Sequence, residues 1–123
     1  MDANGTSSIN TGPSDDLTGG GNYMYIETSS PRTQGDFAIL HSPNIDISPL
    51  TVPELRFYTH MYGQTIDSLV VDITDDGGLT YNNVFNKYGD QGDVWNEELV
   101  ILSNYSGIVS FRVTGYVGSS FTG

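Results

Sequence analysis

Residues 54–74 read ELRFYTHMYGQTIDSLVVDIT and hold the densest apolar material in the chain. In the first half Leu55, Phe57, Thr59 and Met61 fall on one side, while Arg56, Tyr58, His60 and Tyr62 fall on the other. That period of two is what a half-buried strand requires. In the second half Leu69, Val71 and Ile73 face one way, and Ser68, Val70, Asp72 and Thr74 the other. The stretch predicts two strands joined by a turn, a central hairpin with a core face and a polar, aromatic face.

Outward from this stretch the same alternation predicts strands over 22–28, 37–41, 81–88, 95–102 and 107–117. Between Ser42 and Pro53 the prolines 43, 49 and 53 forbid a central ladder position, so that segment is an edge or a crossing connection. No segment shows helical periodicity with caps. Seven short, regularly spaced strands predict an all-β antiparallel sandwich. Its expected core is Met24, Ile26, Phe37, Ile39, Leu55, Phe57, Leu69, Val71, Ile73, Trp95, Leu99, Ile101, Val109, Phe111 and Val113. Residues 1–21 are rich in Gly, Ser, Thr, Asn and Asp and read as a flexible loop ahead of the domain at 22–123. Residues 74–81, TDDGGLTY, contain Asp76-Gly77-Gly78, which supplies the positive φ of a tight turn. The stretch is similar to an Asp-box, with Tyr81 in place of the usual tryptophan, and reads as a folding device.

Four stretches in order carry a family resemblance: TGPSDDLTGGGNYMYIE at 11–27, FAILHSP at 37–43, LRFYTHMYG with LVVDI in the central stretch, and GDQGDVW at 89–95. Together they resemble MAM domains, extracellular modules named for meprin and the receptor phosphatase mu. The resemblance implies a jelly roll, and an adhesion or binding role without catalysis. Animal members usually carry disulfides, one cysteine standing where this chain has Glu54, whereas this chain has none. It therefore looks like a bacterial variant stabilised by packing alone, and secretion is still compatible with it. By the same comparison the family's first and last strands are expected to be missing.

Composition narrows the partners. Arg32, Arg56, Lys87 and Arg112 stand against fifteen acidic residues, a formal charge of −11. Nucleic acid and anionic lipid both need a basic footprint, so neither is an expected partner. No apolar run approaches the ~18 residues of a membrane-spanning helix, and the first ten residues lack the pattern of a signal peptide.

Catalysis has little footing. There are two histidines, His41 and His60, no cysteine and no GxSxG serine. Glu97 and Glu98 are expected on opposite faces of a strand, which rules them out as a glycosidase pair. For metal, Asp15 and Asp16 beside Ser14 and Thr18 offer the hard oxygens that calcium takes. The resemblance implies a cation near this loop in some members, with Asp16 at the acidic position and Leu17 where a histidine is usual. Asp90 and Asp93 form a second oxygen-rich turn. For a ligand, Arg56, Tyr58, His60, Tyr62, Asp72, Arg112 and Tyr116 are expected to share one sheet face, rings covering a sugar while Arg and Asp hold hydroxyls.

Asn4 and Asn104 begin N-glycosylation sequons that carry no weight in a bacterial chain. The resulting expectation is a non-catalytic adhesion or binding module of a secreted or cell-surface protein, engaging a protein, a glycan or a second copy of itself. A carbohydrate-binding accessory domain of a hydrolase or peptidase is the alternative.

Overall fold

A computed structural model of the chain describes residues 12–19, 22–26 and 33–118. Among these residues seven strands form: β1 (Phe37–His41), β2 (Ile45–Asp46), β3 (Glu54–Thr59), β4 (Ile66–Thr74), β5 (Asn82–Tyr88), β6 (Asn96–Ile101) and β7 (Ile108–Val117). All pairings are antiparallel. One sheet runs β1-β7-β4-β5, with β2 also on β7; the other is the pair β3-β6. The two pack as a β-sandwich, as the alternating pattern predicts.

Both β1 and β2 lie along the edge of β7 that β4 leaves open. Pro43 interrupts them, and Ser42 bridges the gap: its N–H donates to the Phe111 carbonyl (2.9 Å), and its Oγ accepts from the Phe111 N–H (2.8 Å). A side chain thus supplies the ladder bond that the proline interrupts. The proline-rich stretch is both a short edge and a crossing connection.

The core lies between the sheets. Val71 and Ile73 of β4, Val109 and Phe111 of β7, Val100 of β6, and Ile47 and Leu102 from the connections form one buried cluster, against which Leu55, Phe57, Val84, Phe85, Tyr105 and Val113 pack. Phe57 meets Phe85 edge to face across the gap, 5.1 Å between centroids. At roughly 1.5–3 kcal/mol per large side chain fully buried, this cluster is the main source of stability in a chain without disulfides.

Three expectations need correcting. The central stretch is no hairpin: β3 pairs with β6, and β4 pairs with β5 and β7. Its two halves face each other across the core, and residues 60–65 carry the chain from one sheet to the other. An alternating pattern specifies which face is buried and leaves the partner strand open. The strand expected at 22–28 is only an isolated bridge at Tyr23 over the described residues 22–26. In the core, Met24, Ile26, Phe37, Ile39, Leu99 and Ile101 are exposed. Strand β6 continues into an aliphatic run, Leu99-Val100-Ile101-Leu102, so alternation offers two equal faces. The Leu102 N–H bond to the Pro53 carbonyl (2.9 Å) accompanies burial of Val100 and Leu102.

At the β4/β5 turn, Asp76 accepts bonds from the Thr80 N–H (2.9 Å), the Thr80 hydroxyl and the Thr74 hydroxyl (2.8 Å), and the Gly78 N–H donates to Thr74 Oγ1 (2.9 Å). Led by the Thr80 hydroxyl, these bonds hold the Asp76 carboxyl at about 2, below the ordinary 3.8. Because the folded value is depressed, the turn's contribution to stability is complete above about pH 4 and is lost as pH falls through the folded value. An NMR titration following the Thr80 amide will therefore show a midpoint near 2, and Asp76→Ala will abolish it.

Gly118 sits where a Cβ would lie 1.6 Å from the Thr65 carbonyl oxygen, whereas a Cβ at Gly115 would meet the Ile26 side-chain tip at 2.1 Å. A side chain can rotate away and a backbone carbonyl cannot. Denaturant melts should show Gly118→Ala losing ~3 kcal/mol or more, and Gly115→Ala distinctly less.

Candidate functional site

The face expected to carry a ligand is divided between the two sheets, because its parent strands are. On the outer face of β3-β6 stand Arg56 and Tyr58, opposite Leu99 and Glu97. Arg56 donates to Glu97 (2.7 Å) and Glu54 (2.9 Å), and hydrogen bonding and charge, Glu54 first, raise its pKa above the ordinary value. The side chains are exposed, so the pairing adds little stability. Glu98 points the other way and pairs with Lys87 of β5 between the sheets, also accepting from the Thr59 hydroxyl (2.9 Å). The two glutamates thus do lie on opposite faces.

His60 leaves the expected face altogether. Strand β3 ends at Thr59, and the His60 side chain, 3% exposed, turns into a cleft of about 330 Å³ lined by Pro13, Ser14, Asp15, Asp16, Asp93, Val94 and Trp95. Its Nε2 lies 2.9 Å from Asp93 Oδ1, and its ring packs edgewise on Trp95 (5.3 Å) and Tyr62 (6.3 Å). Nδ1 is buried with no hydrogen-bond partner among the described residues. Trp95 in turn donates its indole N–H to the Asp15 carbonyl (3.2 Å), the Tyr23 hydroxyl donates to the Pro13 carbonyl (3.1 Å), and the Gly12 N–H donates to the Tyr62 carbonyl (3.1 Å). The 12–19 loop is therefore docked on an aromatic cluster. Sequence reading passed over this role of Trp95 because nothing local links residue 95 to residue 15.

Asp72, Arg112 and Tyr116 lie on the outer face of the five-stranded sheet. Arg112 donates to Asp72 Oδ2 (3.0 Å from Nη2) and stacks over Tyr81, 3.9 Å from the ring centroid. Asp72 Oδ1 accepts from Asn83 (3.1 Å), and Asn86 donates to Asn83 Oδ1 (2.5 Å). The register brings Phe37 and His41 of β1 and Tyr88 of β5 onto this face. Sequence reading placed Phe37 in the core and left Tyr88 without a role; a strand's pattern cannot show which neighbours flank it.

Asp15 and Asp16 share the cleft's rim, where Asp15 Oδ1 accepts from the Asp16 N–H (2.8 Å) and Asp16 Oδ2 from the Thr18 hydroxyl (2.7 Å). Calcium takes six to eight oxygens. Among the described residues no group of three or more His, Cys, Asp or Glu is placed to hold a metal. Asp90 serves its own turn, accepting from the Gly92 N–H (2.9 Å) and the Gly63 N–H (3.3 Å).

Comparison with known proteins gives a consistent match. A family model described as MAM domain, meprin/A5/mu, covers residues 2–121. The chain is 40% identical over 114 residues to a human MAM domain-containing glycosylphosphatidylinositol anchor protein 2, covering 85% of this chain and 12% of that protein. It is 37% identical over 119 residues to the rat anchor protein 1, covering 94% of this chain and 12% of that one. To neuropilin-1 of Xenopus laevis it is 32% identical over 114 residues, 92% of this chain and 12% of the relative. The chain thus spans about an eighth of each relative's length. These relatives are vertebrate, and a bacterial origin rests on the missing cysteines alone.

With a single tryptophan in the chain, the cleft has a built-in probe. His60→Ala should destabilise the domain by ~2 kcal/mol through the cavity it leaves, and shift Trp95 emission to the red as the 12–19 loop loosens. Urea unfolding followed by fluorescence and by circular dichroism will show both effects.

Proposed function

The chain belongs to the MAM domain family, and from that premise we propose that it is a non-catalytic adhesion module of a larger cell-surface or secreted protein, working outside the cell on a protein partner. The observation that carries this reading is the fate of its charged groups. Each described cationic side chain is engaged by a carboxylate: Arg56 by Glu54 and Glu97, Lys87 by Glu98, Arg112 by Asp72. His60 is packed into a structural cleft with Asp93. Such groups are held in place for architecture, and the chemistry expected of an acid, base or nucleophile needs one that is poised at a substrate.

Exposed apolar side chains, by contrast, stand on the outer faces of both sheets, including Leu99 and Ile101 on one and Phe37 and Tyr88 on the other. A net acidic surface whose described cations are all paired favours a partner presenting a neutral or basic face. It also opposes close approach of a second acidic copy at low salt, so a heterophilic partner fits better than self-association.

The test is surface plasmon resonance of the domain against a panel of cell-surface ectodomains, itself included, at low and high salt. Binding to at least one ectodomain, with an association rate that falls as salt rises, is the expected result. Hydrolysis of any peptide or polysaccharide by the purified domain, or binding to none of the panel at any salt, would overturn the reading.

A further inference from the structure

Three cross-strand rows cross the outer face of the five-stranded sheet. The first is Phe37, Tyr116, Ser68 and Tyr88, taken from β1, β7, β4 and β5 in turn. Phe37 and Tyr88 are 61% and 65% exposed, while Ser68 is buried. The Phe37 and Tyr116 rings pair at 5.9 Å, so two aromatic walls flank a floor made by one small hydroxyl side chain. Tyr116 and Tyr88 stand two strand spacings apart, roughly 10 Å, a width that admits a sugar ring with contact on each side. The next row sets exposed Ile39 and Asn86 on either side of buried Thr114 and half-buried Val70, and the third is His41, Arg112, Asp72 and Asn83.

The chemistry of these rows selects the ligand. Aromatic faces cover the C–H faces of pyranose rings, and hydroxyl and amide side chains exchange hydrogen bonds with sugar hydroxyls. Charge is cancelled on this face: Arg112 is held by Asp72 and stacked on Tyr81, and Asp72 is also bonded by Asn83. With Arg112 committed in this way, a sulfated or uronic chain finds no free arginine or lysine in the rows. The bonded network also fixes the polar row before any ligand arrives, which lowers the entropy lost on binding.

We propose that the trough between the Phe37/Tyr116 ring pair and Tyr88 binds a neutral glycan chain. The inference rests on the reading of the chain as a non-catalytic binding module and adds a ligand class to it. It keeps Asp72, Arg112 and Tyr116 from the face expected of the sequence and leaves out Arg56 and Tyr58, which stand on the other sheet.

Affinity electrophoresis through gels containing soluble β-glucan, xylan or galactomannan, with heparin and alginate as anionic counterparts, tests it. Retardation is expected in at least one neutral gel. Tyr88→Ala should weaken it roughly tenfold, whereas Tyr88→Phe and Tyr58→Ala should leave it in place. Thermal melts of each variant separate loss of binding from loss of fold. No retardation in any neutral gel, retardation by the anionic gels alone, or equal retardation of Tyr88→Ala would each overturn the site. So would sedimentation showing that Tyr88→Ala dissociates a dimer, because a second copy would then occupy the face. Ectodomain binding that persists while every neutral gel is silent would remove the glycan site and leave the adhesion module standing.

Discussion

The closure of β3 and β6 onto β4 and β7 is the contact on which the rest of the structure depends. Phe57 meets Phe85 across the gap, Val100 joins Val71, Ile73, Val109 and Phe111, and Lys87 reaches Glu98 between the sheets. A two-stranded sheet is not stable alone in water. Strands β3 and β6 hold together because their inner face is taken from solvent by the larger sheet. No cysteine supplements this packing, so apolar burial carries the load that disulfides carry in many small extracellular domains.

That closure also decides what the surface can do. Placing β3 and β4 on opposite sides of the core gives each sheet an outer face of its own. One carries Arg56 locked between two glutamates; the other carries a row of rings beside a charge-cancelled polar network. At the end where the chain crosses between sheets, His60 and Trp95 form the seat on which the 12–19 loop rests. Anchored through Asp15, Pro13 and Gly12, that loop belongs to the folded body and serves its architecture.

Much of this was legible in the residues. Alternation at Leu55, Phe57, Thr59 and Met61, and at Leu69, Val71 and Ile73, correctly named the inward faces, and Asp76-Gly77-Gly78 correctly marked a turn closed by the Asp76 carboxylate. Local signals suffice for these features because a strand's faces and a tight turn are set by neighbours a few residues away. The surface was less legible. His60 reads as a face residue until β3 is seen to end at Thr59. Phe37 reads as core until β1 is seen to be an edge strand whose five residues are all exposed.

The sequence by itself determined the all-β class, the inward faces of the central strands, the acidic surface and the family. The first three follow from composition or from short-range pattern, and the family from the resemblance of four stretches in their order. Only the tertiary structure decided that the central stretch splits between two sheets, that β6 buries Val100 and Leu102 over Leu99 and Ile101, and that Phe37, Tyr116 and Tyr88 line up in one row. Those outcomes depend on which strands pair, and pairing is settled by the free energy of closing the whole core, to which residues far apart in the chain contribute at once.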